Sequence, residues 1–189
     1  MSGFLYHRCP EPLLGEQLLP LNLLRESWPD RHDEASARYA RREALRRQKI
    51  PQLDCAWSDV VHLSPLSPRR IWRALTEAGV DHLSPSWRWV KVPVERIAHL
   101  DAVWFDYHEH APGDFRIRAD EVRAFSVEDY DELTVVPEPT RQYFREVALG
   151  GRSPVFIFHR VPHVLVRGAV PVDDCEIFEW SSWSGEDDG

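Results

Sequence analysis

Residues 36–68, SARYARREALRRQKIPQLDCAWSDVVHLSPLSP, run without a break from a basic helical pattern through an apolar stretch into two Ser-Pro pairs. That order commits the chain to helix, buried strand, turn and then a second helix. Asp33 and Glu34 come first, Arg38, Arg41, Arg42, Arg46, Arg47 and Lys49 follow, and Pro51 stops the run. Acids early and bases late match the dipole of one helix. Most of these bases need no more than a solvated face, but Arg38, Arg42 and Arg46 recur every four residues beside Tyr39, a stripe suited to holding phosphates. Beyond Pro51, residues 53–63 place Cys55, Trp57, Val60, Val61 and Leu63 around Asp54 and Asp59, which reads as buried strand or tight loop. Ser64-Pro65 and Ser67-Pro68 then turn the chain. Ser67 is placed to cap the next helix with Pro68 at its first position, Ile71, Trp72, Leu75 and Ala78 form its apolar face, and Gly79 ends it.

The flanking sequence supplies strands. Residues 4–7 form a short first strand ended by Pro10 and Pro12, because proline cannot donate to a ladder. The segment 16–29 carries five leucines but also Pro20 and Pro29, so irregular chain with about one helical turn is expected. Alternation over 87–92 predicts a strand, followed by a helical turn over 94–100 and a further strand over 101–107. A hairpin is expected from 115–117 and 122–127, an acidic loop over 128–132, and a helix over 140–149 capped by Gly150 and Gly151. The closing third reads as three strands, 155–158, 163–166 and 175–180. This mixed order argues for an α+β fold rather than a doubly wound sheet.

At 189 residues and 43% hydrophobic, the chain has material for a single domain, taken as 1–184, with 185–189 a disordered acidic tail. Its apolar runs fall far below the roughly 20 residues that cross a bilayer, so no membrane partner is expected. Cys9, Cys55 and Cys175 lack paired spacing, which fits reduced thiols in a cytoplasmic setting and buried packing roles. A net charge of -8 excludes nucleic-acid binding through the whole surface and leaves room for a local basic patch. His108 and His110 share one face of a strand and are half of a metal site, with Asp106 or His159 as a third ligand; the loop-like composition favours a solvated loop, and no metal is expected.

Three segments together resemble the ADP-ribosyltransferase superfamily. Leu5-Tyr6-His7 is similar to its opening strand, including that of the RNA 2'-phosphotransferases. Tyr39-Ala40-Arg41-Arg42, followed by residues 59–68, is similar to the DarT-type DNA ADP-ribosyltransferase toxins, and residues 161–171 to their late catalytic strand. The resemblance implies split mixed or antiparallel sheets flanked by helices, with NAD as cofactor. It implies that His7, Tyr6, Tyr39, Arg41 and Ser64 contact the cofactor, that Arg42 binds phosphate, and that position 163 supplies a catalytic carboxylate. The chain has His163 there. A neutral imidazole cannot stabilise an oxocarbenium-like ribose as an anion does, and a protonated one opposes it. Glu176 or Glu109 could stand in for the missing acid. The functional expectation is an NAD-binding, ADP-ribosyltransferase-like protein acting on a nucleic acid or other acceptor. The alternatives are a non-catalytic nucleotide- or protein-binding domain of the same fold, and a metal-dependent enzyme using His108 and His110.

Overall fold

The computed structural model describes residues 3–37, 39–40, 42–108, 114, 116–151 and 155–182. Among these, the elements in chain order are β1 (Phe4–Arg8), β2 (Gln17–Leu18), α1 (Leu21–Ser27), α2 (Pro29–Ala37), α3 (Glu43–Arg46), β3 (Lys49–Ile50), β4 (Cys55–Ala56) and β5 (Val60–Leu63). Then come α4 (Pro68–Glu77), β6 (Arg88–Pro93), β7 (Ala102–Phe105), β8 (Val122–Ala124), α5 (Glu138–Gly150), β9 (His163–Arg167), β10 (Val170–Pro171) and β11 (Glu176–Glu179). Mixed helices and antiparallel sheets make this an α+β arrangement, as the order of sequence patterns implied.

Two sheets dominate. One has the order β1-β6-β11, the other β5-β9-β7-β8, and every pairing in both is antiparallel. Residues alternate across each strand, so one face of every strand is committed once the other is buried. Leu5, Val90 and Val92 of the first sheet meet Val61, Leu63, Val164, Val166 and Trp104 of the second in one core. The opposite face of the first sheet carries Tyr6, Trp89 and Phe178, covered by Ile71 and Leu75 of α4 and by Phe144 and Val147 of α5. The opposite face of the second sheet holds Val60, Val103, Phe105 and Leu165 over Ile50, Leu53 and Cys55. His62 and His163 lie on that last face, because His62 alternates with Val61 and Leu63 and His163 is paired across β7 with Phe105.

α4 forms where the sequence places it, with Pro68, Ile71, Ala74 and Leu75 buried and Gly79 at φ 86 ending it. Ser67 holds the N-cap position with Pro68 following at the first helical position, but its side chain makes no capping hydrogen bond. α5 buries Thr140, Phe144 and Val147 along one stripe and ends at Gly151, φ 59.

Three expectations are corrected. The single basic helix is two, α2 and α3, separated by turn-like backbone in which Arg42 adopts φ -138. Neither half buries a residue, so no apolar stripe holds a continuous helix together. The segment 155–158 is not a strand: it is irregular chain entering a turn over 157–160, with its apolar side chains laid over other rings instead of into a ladder. Residues 116 and 117, in the stretch 115–117 expected as the first arm of a hairpin, form no strand, and a 3-10 turn, Ala119–Glu121, leads into β8; residue 115 lies outside the described residues. The leucine-rich segment also forms more structure than expected, since α1 spans two turns and is fastened by Asn22 donating to Asp59 at 2.6 Å. All three cysteines are free, Cys9 and Cys55 buried and Cys175 partly so. Among the described residues no helix is long and apolar enough to cross a membrane.

Candidate functional site

The two sheets touch edge to edge at one bridge, Tyr6 to Ser64, and separate beyond it. In an antiparallel bridge, the residues after Tyr6 and those before Ser64 fall on the same side. His7 and His62 therefore both face the opening, and they line one cavity of about 690 Å3. A second cavity, about 720 Å3, lies over His163 and Phe105 and is roofed by residues 155–161. Both are within the size range of small-molecule and cofactor sites. Tyr39, Arg42, Trp57 and His62 line both, so these four side chains form a shared wall.

Arg42 is the distinctive member of that wall. Its guanidinium lies 5.6 Å from the Tyr39 ring centroid and 5.8 Å from that of Phe156, and among the described residues it makes no hydrogen bond or ion pair. Arg46, one turn on, is instead engaged with Glu43 and with His32. With the break between α2 and α3, Arg42 lines both cavities while Arg46 lines neither. Arg38 and Arg41 lie outside the described residues.

The two histidines beside it are held neutral. Burial pushes the His62 imidazole down to about 3, and the nearby His163, His7 and Arg42 act in the same direction. Burial likewise takes His163 down to about 4, with its hydrogen bond to the Val161 backbone opposing and His7 adding to the fall. The mutual influence of His7, His62 and His163 places all three within electrostatic reach of one another. His62 packs on Trp57 at 4.4 Å between centroids, and His163 meets Phe158 edge-on at 5.9 Å. His62 Nε2 and Trp57 Nε1 are buried without a hydrogen-bond partner. Two orphaned polar atoms in one cavity wall call for an explanation, and a ligand group that bonds to them supplies it.

α5 positions the roof. Thr140 Oγ1 donates to the His159 carbonyl at 2.8 Å, Phe156 N donates to the Tyr143 hydroxyl at 3.1 Å, and the Tyr143 and His159 rings lie 4.2 Å apart. The helix that buries Phe144 in the core therefore also fixes the cover of the His163 cavity.

Of the residues singled out in the sequence, His7, Tyr39, Arg42 and His163 come together on these cavities. Tyr6 and Ser64 face packing instead. Tyr6 is buried and its hydroxyl donates to Glu132 Oε1 at 2.6 Å, while the Ser64 hydroxyl bonds the Leu66 backbone within its own turn. Asp59 is committed to Asn22 and to the Ala56 backbone. Glu176 sits on the far face of the first sheet near Lys91, 3.6 Å, and Arg69, 3.9 Å, and lines neither cavity. Glu109 and His110 lie outside the described residues; His108 is exposed, and among the described residues no three His, Cys, Asp or Glu side chains are grouped to hold a metal ion. Trp72, Trp87 and Trp89 belong to a cluster around the buried Trp180, whereas Trp57, in the stretch read as buried strand or tight loop, is part of the cavity wall.

Sequence reasoning missed His62 and Trp57. The sequence marks His62 only as the polar side chain in Val-Val-His-Leu; Val60 on its own face and Val61 and Leu63 on the other are all buried, so alternation alone does not say which face is open. No protein-family model, no curated protein and no solved structure matches the chain.

Proposed function

We propose that this chain binds an adenine-type nucleotide diphosphate of the NAD class across its two cavities, as an ADP-ribosyltransferase-like domain with split sheets, and that it does not perform glutamate-dependent transfer. The observation that carries the reading is Arg42, whose guanidinium has no ion-pair partner among the described residues and stands in the wall common to both cavities. A cation with no counter-charge among the described residues is suited to phosphate, and its planar fork can bond two phosphate oxygens at once. The aromatic rings of Tyr39, Trp57 and Phe156 offer stacking faces on either side. His62 Nε2 and Trp57 Nε1 offer polar contacts that now lack partners.

Transfer of ADP-ribose to a nucleic acid or other acceptor is the second reading. The approach of His7, Arg42 and His163 favours it, because the resemblance assigns those positions to the reacting part of the cofactor. It needs a carboxylate at the ribose, and Glu176 is turned away from both cavities.

Incubation with nicotinamide-labelled NAD separates the two readings, alongside calorimetric titration with NAD and ADP-ribose. The expected result is saturable binding of at least one of these ligands, weakened at least tenfold by Arg42→Gln, with no nicotinamide released. Nicotinamide release that depends on Arg42 would establish transfer instead. Absence of saturable binding by either ligand at millimolar concentration would overturn the proposal.

A further inference from the structure

The charges around the two cavities bear on which nucleotide fits. On the His163 side the lining carboxylates are Asp114 and Glu121, and both are committed. Asp114 is bound by Arg116 at 2.8 Å and approached by Arg118, and the Arg116 hydrogen bonds hold its carboxyl far below the usual range. Glu121 is buried and accepts from the His108 and Arg118 backbone N–H groups, one on each oxygen. On the His7 side Glu34 is ion-paired with Arg31, and Glu11 is exposed. Cations outnumber carboxylates on both: Arg42, Arg116 and Arg160 line the first cavity, and Arg8, Arg31, Arg42 and Arg88 the second. Where the strands β5 and β9 meet the cavities, the inward groups are two uncharged imidazoles.

Resting on the nucleotide-binding reading, we infer that the site selects diphosphate ligands whose distal group is uncharged, ADP-ribose and reduced nicotinamide dinucleotide, over oxidised nicotinamide dinucleotide. A positively charged pyridinium entering the His163 cavity meets Arg42, and among the described residues both carboxylates lining that cavity are already hydrogen-bonded. In a cavity partly shielded from water that repulsion is stronger than at the surface. A neutral dihydropyridine or a free ribose keeps the diphosphate contact and avoids the penalty. The same wall that attracts the phosphates thus rejects the cationic ring.

The reduced and oxidised dinucleotides differ in the charge of one ring and share every phosphate, so they are the decisive pair. Titration calorimetry of the full chain at pH 7.5 is expected to give a Kd for the reduced form and for ADP-ribose at least tenfold lower than for the oxidised form. His163→Glu, which places an anion on β9 beside the cavity, is expected to narrow that ratio by raising affinity for the oxidised form. Arg42→Gln is expected to weaken the reduced form more than the oxidised form, narrowing the ratio by the opposite route. Equal binding of the two forms by the wild-type chain, or tighter binding of the oxidised form, overturns the selectivity while leaving nucleotide binding intact. Failure of all three ligands to bind overturns both. If His163→Glu does not fold, the wild-type ratio and Arg42→Gln still decide the matter.

Discussion

Tyr6 and Ser64 exchange two backbone hydrogen bonds, each 2.8 Å, and these join the edges of the two main sheets. The join is braced from the Tyr6 side chain: Glu132 accepts from the Tyr6 hydroxyl at 2.6 Å with one oxygen and from the Phe4 backbone at 3.0 Å with the other. Glu132→Ala leaves a buried hydroxyl and a strand N–H without their acceptor. A loss of about 1–3 kcal/mol is expected, read as a fall of several degrees in Tm by circular dichroism. Tyr6→Phe, which removes one of the two bonds, is expected to cost less, about 1 kcal/mol. An unchanged Tm in both variants would show that the brace contributes nothing.

Arg42→Gln separates binding from stability. Among the described residues its side chain makes only ring contacts with Tyr39 and Phe156, so the folded state is expected to lose no more than about 0.5 kcal/mol in urea denaturation. Nucleotide affinity is expected to fall at least tenfold in the same preparation. A large stability loss would mean the guanidinium is a packing element instead of a free cation.

The two cavity histidines predict a pH dependence of stability. Folded His62 and His163 are held at about 3 and about 4, against 6.5 for the free side chain. The unfolded chain therefore binds more protons below pH 6.5, and by linkage stability rises with pH in that window. The urea midpoint is expected to be level above about pH 7 and to fall steadily from about 6.5 to 5, before most carboxylates titrate. His163→Gln should flatten part of that slope; an identical slope in the variant would rule out His163 as a source.

Thr140→Val tests the roof. Valine fills the same buried volume but cannot donate to the His159 carbonyl. Faster hydrogen exchange over residues 155–161 is expected, with a stability loss of about 1 kcal/mol and weaker ligand binding while Arg42 is untouched. Exchange confined to its wild-type rate would place the restraint elsewhere, in the Tyr143 contacts.

Gly3→Ala is expected to be destabilising out of proportion to its size. A Cβ there would lie 2.5 Å from Tyr130 Cε1, and that ring is pinned by its hydroxyl donating to the Phe4 carbonyl at 2.6 Å. Thermal denaturation checks this, and a Tm within a degree of wild type would show that the ring can retreat.

What could be read in the sequence was local. Ser67-Pro68 and Gly79 frame α4 with signals that act within a few residues, and the alternation around Trp89 and Val164 places β6 and β9 to within a residue or two. The basic run failed as a helix because charge order favours a direction without supplying a buried face. Residues 155–158 look like a strand from their composition, yet they are drawn out of the sheet by Tyr143 and Thr140, which lie earlier in the chain. His7, Arg42 and His163 were found through order and resemblance; His62 required knowing which face of β5 is closed. Trp57 resembled a core residue because nothing local distinguishes a cavity wall from an interior.

The wall formed by Tyr39, Arg42, Trp57 and His62 has two sides, and whatever sits against one side sets the position of the same four groups on the other. A ligand that shifts one of those groups from one side therefore changes the lining of the other, and any coupling that results acts equally in both directions.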